Sequence, residues 1–181
     1  MAIWIRQAIE NLVAYQQLDQ SFTRVVSLRA VTGNESWEKL QKSKEKFSTN
    51  FVLPPDIFFM HENVRLRGLG ASLIGEAGTV PWSIVIKLPE EAYYLRSGEN
   101  ASVSQGDVPS CFIGRVENRK STRPIEMGGM ISLMNASPIG EPSPKGYWTI
   151  SIIRPANTAE KFSDIEDILL EVSAVGVPCS I

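Results

Sequence analysis

Apolar positions in the first twenty residues recur at helical spacing. Ile5, Ala8, Ile9, Leu12 and Val13 stand at i, i+3, i+4, i+7 and i+8, with Trp4 widening the stripe, so residues 1–20 are predicted to form an amphipathic helix. Its polar side has Arg6 as its only cation, among Gln7, Glu10, Gln17 and Gln20. A membrane-surface helix is rich in Lys and Arg on that side, so this stripe fits packing on its own domain or on a second subunit better. From 22 to 31 the period changes to two: Val26, Leu28 and Ala30 alternate with Val25, Ser27 and Arg29, which predicts a strand. Gly33 breaks it. Asn34 is a predicted N-cap for a middle helix running to about Phe47, with Trp37, Leu40 and Phe47 as sparse apolar positions. Pro54-Pro55 then imposes an extended segment.

The remainder reads mostly as short strands, at 57–60, 64–67, 71–74, 82–88, 111–116, 130–134 and 147–153, with Gly or Pro at nearly every join. Residues 97–110 are polar and without period, which predicts a mobile loop. Ser163 or Asp164 is expected to cap a last helix with Ile165, Ile168, Leu169 and Val172 as its stripe, stopped by Gly176 and Pro178. The pattern gives a single α+β domain over 1–181. It is mainly antiparallel sheet, with an N-terminal, a middle and a C-terminal helix packed on it.

Composition changes this picture in two ways. A length of 181 residues suffices for one domain without staples, and 43% hydrophobic against 21% charged residues excludes a disordered chain. The net charge of −2 means that a nucleic acid or anionic surface must be bound through a local patch, not by the whole surface. No apolar run approaches the length of a membrane span, and Arg6, Glu10 and Asn11 interrupt any signal-peptide core, so an intracellular, peripheral location is expected.

Candidate chemistry is sparse. Cys111 and Cys179 are the only cysteines and are read as free thiols, one disulfide being the alternative; no CxxC metal or redox motif exists and no metal or cofactor is expected. His61 is the only histidine, so a nucleophilic triad would have to use it. Gly68-Leu69-Gly70 starts like a dinucleotide fingerprint, but Leu73 takes the place of the third glycine and a strand pattern follows; the glycines are read as turns and bulges. Glu90-Glu91 and Glu166-Asp167 fall in polar runs. The densest positive cluster is Arg115, Arg119, Lys120 and Arg123, with Glu117 as its only acid, in a segment suited to presenting guanidinium forks to phosphate. Lys42, Lys44 and Lys46 form a second set on the middle helix, interleaved with glutamates; a solvated helix face is the plainer reading and a phosphate or anionic-lipid contact the functional one.

The C-terminal half resembles the matrix proteins of rhabdoviruses, the vesicular stomatitis type in particular. The matching order is Ser104-Gln105-Gly106-Asp107-Val108-Pro109, a strand entering Gly114-Arg115, and the basic segment Arg119 to Pro124. Lys145-Gly146-Tyr147-Trp148-Thr149-Ile150 follows, then Lys161-Phe162-Ser163-Asp164. The resemblance covers about half the chain. It implies a non-enzymatic structural protein that self-associates and links nucleocapsid to an anionic membrane, in host cytoplasm and virion. Self-association would use Ile5, Ile9, Leu12 and Val13 and the polar loop with Val103 and Val108. The chain departs from that family in its acidic balance, in lacking a Lys-rich tail, and in having Asp56-Ile57 after Pro54-Pro55 where a budding motif would continue. The short form is similar to matrix proteins of plant-infecting members. Two other classes stay open: a single-domain RNA-binding or movement-type viral protein using residues 115–123, and a small hydrolase around His61.

Overall fold

Strand β1, Gln20–Ser27, ends where its own last side chain starts a helix. Ser27 Oγ accepts from Ala30 N at 3.1 Å and caps α1, Leu28–Thr32, so the strand expected over 22–31 gives way to helix half-way. The computed structural model describes residues 18–77, 80–106 and 136–179 in full, and the strands at 111–116 and 125–126 by their backbone. The helix expected over 1–20 therefore lies outside the described residues except at its end, where Gln20 already belongs to β1. Gly33, at φ +78°, separates α1 from α2, Asn34–Gln41, which buries Trp37 and Leu40.

The middle helix is shorter than its apolar spacing predicts. It stops at Gln41, and Lys46–Phe51 is strand β2. Phe47 and Phe51, both buried, are four apart and satisfy either period; the strand reading wins because Phe47 and Phe51 pair with Ile152 and Trp148 of β9, Trp148–Ile153. The strand expected at 57–60 is instead a 3-10 turn at Pro55–Phe58 and the turn after it, where Pro54-Pro55 supplies no ladder donors, and β3 runs unbroken over His61–Gly75, where two short strands were expected. Gly68 and Gly70 lie inside it opposite Ser173 and Glu171, and the register slips between Ser173 and Ala174. The glycines thus serve a bulged long strand, not turns.

Strand β4, Trp82–Lys87, agrees with expectation. Of the mobile polar loop expected over 97–110, residues 97–104 are instead the turn and second arm of a hairpin, and 107–110 lie outside the described residues. Strands β5, Glu91–Arg96, and β6, Glu99–Ser104, join through Ser97 (φ +50°) and Gly98 (φ +79°), the two positive-φ positions of a tight two-residue turn. Strands β7, Cys111–Val116, and β8, Ile125–Glu126, follow; the strand expected at 130–134 lies outside the described residues. The largest correction is at the C-terminal end. Phe162–Asp164 is a single 3-10 turn, and Ile165–Pro178 is the 14-residue strand β10, not a helix.

One four-stranded sheet has the order β1-β10-β3-β8, a second β2-β9-β4-β7, and the β5-β6 hairpin stands beside them. Every pairing between them is antiparallel. Both sheets contribute to one core: Leu66, Leu69, Leu73, Leu170 and Val172 from the first, Ile84, Ile86, Trp148, Ile150 and Ile152 from the second. Each of these is worth about 1.5–3 kcal/mol when taken fully out of water. The hairpin is tied in by Ser137, whose Oγ donates to Tyr93 O at 2.6 Å, and by Gln105, whose Oε1 accepts from Ser137 N at 2.7 Å. The chain is a single α+β domain in which antiparallel sheet dominates. No described helix is long and apolar enough to cross a membrane.

Candidate functional site

The residues singled out in the sequence scatter across the structure. Lys42 caps the C-terminal end of α2 and pairs with Glu38 at 3.8 Å; Lys44 lies in the turn that follows; Lys46 opens β2 and is exposed. The three lysines therefore do not share a helix face. Lys39 pairs with Glu35 at 2.8 Å, and that ammonium holds the Glu35 carboxyl below its usual range. Arg115 belongs to β7 with its backbone opposite Ser83. Arg119, Lys120, Arg123, Ile5, Ile9, Leu12, Val13 and Val108 lie outside the described residues. Val103 is half-buried in β6, opposite Ala92 of its own hairpin.

What the fold assembles is a different basic site. Gln41, Ser43 and Lys44 from the end of α2, Arg154 just past β9, and Lys161 and Ser163 at the 3-10 turn before β10 line a cavity of about 330 Å³. Arg154 is held in place by the loop it serves: its N–H donates to Glu45 O at 2.9 Å, and its Nη1 donates to Glu160 O at 3.0 Å and Thr158 O at 3.4 Å. Two carboxylates stand near it, Glu160 turned to β4 and Asp164 bonded to two of the lining residues. Glu160 accepts from Trp82 Nε1 at 2.5 Å and from Val80 N at 3.0 Å. Asp164 accepts from Lys161 N at 2.9 Å and from Ser163 Oγ at 3.1 Å. Among the described residues, Lys44, Arg154 and Lys161 have no salt-bridge partner.

Electrostatics at this cleft can be weighed. The carbonyl end of α2 faces it with partial negative charge and opposes an anion by about 0.3–1 kcal/mol. Each cation at 4–6 Å attracts a unit negative charge by about 3–4 kcal/mol at an effective dielectric of 20, before desolvation. The cations win. Sequence reasoning reached Lys44 but missed Arg154 and Lys161, which stand over a hundred residues away from it in the chain. Lys161 was visible only as the first residue of a resembling motif, not as part of a charge cluster.

His61 has a packing environment. It is 9% exposed and stacks on Phe22, with ring centroids 4.0 Å apart and 25° between planes; its Nδ1 is buried without a partner among the described residues. Burial, and then the Arg24 guanidinium, lower its pKa. Cys179 is a free thiol whose Sγ approaches Phe59 O at 3.6 Å; burial and the Glu62 carboxylate push its pKa up, away from the thiolate a nucleophile needs. Three of the four paired carboxylates have partners: Glu90 pairs with Lys87 at 2.6 Å, Glu91 with Lys145 at 3.5 Å, and Asp167 accepts from Ser27 Oγ at 2.6 Å and Arg29 N at 3.1 Å. Among the described residues no group of three or more His, Cys, Asp or Glu side chains could hold a metal ion.

Fold and site together define an antiparallel α+β domain with a recessed cationic cleft. No family model matches the chain, and no curated protein matches it. Among solved structures it is similar to Morganella morganii TcdA4, at 12% identity and a TM-score of 0.48, over 94% of this chain and 8% of that one. A likeness to Yersinia pseudotuberculosis TcaA-TcaB has 11% identity and a TM-score of 0.39, over 94% of this chain and 10% of that one.

Proposed function

We propose that the chain is a non-enzymatic structural protein of matrix type that binds a polyanion through the Lys44–Arg154–Lys161 cleft and self-associates. Three cations from separate elements converge there without an acidic partner among the described residues, and this observation carries the reading. A recessed opening suits a phosphodiester strand such as nucleocapsid RNA better than a flat bilayer. The anionic membrane surface is assigned to the segment with Arg115, Arg119, Lys120 and Arg123, and the working location is peripheral to that membrane in host cytoplasm and virion. Exposed Leu18, Phe59 and Met60 support self-association, since large apolar side chains held in water favour a partner surface.

The test is single-stranded RNA binding across a salt series, with sedimentation of the protein alone. Lys44→Gln/Lys161→Gln should weaken RNA binding at low salt and reduce the slope of log K against log salt by about 1.4, at about 0.7 per phosphate contact on a single strand. Wild-type binding with an unchanged slope would remove the cleft from the contact. Sedimentation as a monomer at every concentration and salt would remove the matrix reading.

A further inference from the structure

A second basic recess lies on the opposite kind of seam, between a sheet and the hairpin. Asn63 and Arg65 of β3 and Tyr94 and Arg96 of β5 surround a cavity of about 290 Å³. Each arginine is held at one point and open at another. Arg96 donates its Nε to Asn63 Oδ1 at 2.6 Å and lies over the Tyr94 ring, 5.6 Å from its centroid, while its two terminal nitrogens have no hydrogen-bond partner among the described residues. Arg65 donates its Nη2 to the Asp19 carboxylate, while its Nε–H is buried with no partner among the described residues. A buried donor without an acceptor costs about 1–3 kcal/mol. Asn63, the residue that pins Arg96, sits at φ +50°, a left-handed conformation that asparagine tolerates better than most side chains.

These features share one explanation. We infer that Asn63, Arg65, Tyr94 and Arg96 form a binding pocket for a small oxyanion, a carboxylate or a phosphate monoester, bridging the hairpin to β3. Two guanidinium groups suit a planar or trigonal set of oxygens, and such charge-assisted pairs are about twice as strong as neutral hydrogen bonds. The Asp19 carboxylate already on Arg65 shows the chemistry that the pocket accepts, and it partly neutralises the recess. An incoming anion takes the open terminal nitrogens of Arg96 and competes with Asp19 for the Arg65 guanidinium. The pocket is separate from the Lys44–Arg154–Lys161 cleft and does not depend on its reading.

The test is an NMR titration of the arginine Nε–H signals of the ¹⁵N-labelled chain, with inorganic phosphate in one arm and sodium acetate in the other, at constant ionic strength. Saturable shifts at Arg65 and Arg96 are expected. Arg96→Gln should weaken them at least tenfold, Arg96→Lys should give an intermediate loss, and Asp19→Asn should tighten binding severalfold; thermal melts check that each variant is folded. Saturation by phosphate alone identifies a phosphate monoester site, and by acetate alone a carboxylate site. Linear drift without saturation in both arms, or equal shifts at Arg24 and Arg29, which line neither recess, would overturn the pocket.

Discussion

His61 gives the clearest consequence of a single side chain. Stacked on Phe22 and buried, it is harder to protonate in the folded chain than in the unfolded one, where an ordinary histidine titrates near pH 6.5. Below that pH the unfolded chain takes up a proton that the folded chain refuses, so stability falls with falling pH and levels off once the folded-state pKa is passed. The neighbouring charges are Arg24, which opposes protonation, and Glu62 on its own strand. His61→Phe keeps an aromatic ring against Phe22 and removes the titration. Thermal melts from pH 7.5 to pH 5.5 should slope downward for the wild type and be flatter for the variant; parallel slopes would show that another group governs the window.

At the scale of elements, the alternation of β10 makes a prediction that the helix reading reverses. Leu170 is 1% exposed, on the same face as Ile168 and Val172, whereas Leu169 faces the other way and is half-buried. Leu170→Ala should cost about 2–5 kcal/mol in urea unfolding and Leu169→Ala distinctly less; the opposite order would fit the helix stripe of Ile165, Ile168, Leu169 and Val172. That stripe arose because the register of β10 slips between Ile165 and Asp167, adding one residue and turning a period of two into apparent helical spacing. Strands at 82–88, 111–116 and 147–153 were legible because their Ile and Val runs are short and framed by Pro, Ser or Gly, and they match β4, β7 and β9 to within one residue at either end. Residues 97–104 misled for the converse reason. A strand of Asn, Ala, Ser and Val carries little apolar signal, and only the tight turn at Ser97-Gly98 marks it as a hairpin arm. The basic cleft was half legible: Lys44 stands among other lysines, but no local spacing relates it to Arg154 and Lys161, which tertiary structure alone brings near.

For the whole molecule, Trp82 fastens one sheet to the other. It lies in β4, fully buried, meets Phe162 of the 3-10 turn before β10 edge-on at 4.9 Å, and donates its indole N–H to Glu160. Trp82→Phe retains most of the apolar contact but takes the donor from a carboxylate; the expected loss is about 1.5–3 kcal/mol in chemical denaturation. Both sheets should still unfold in one transition, because they share a core; two separate transitions in fluorescence and circular dichroism would show that the sheets fold independently. The pairing of β1 with β10 has a topological consequence. Gln20 and Gly176 are direct partners, so the start of the first strand and the end of the last lie about 5 Å apart. The stretch from Gln20 to Gly176 has neighbouring ends, and it should tolerate circular permutation or grafting into a surface loop of another protein. The exposed Ser97–Gly98 turn provides the new opening, on an element outside both large sheets.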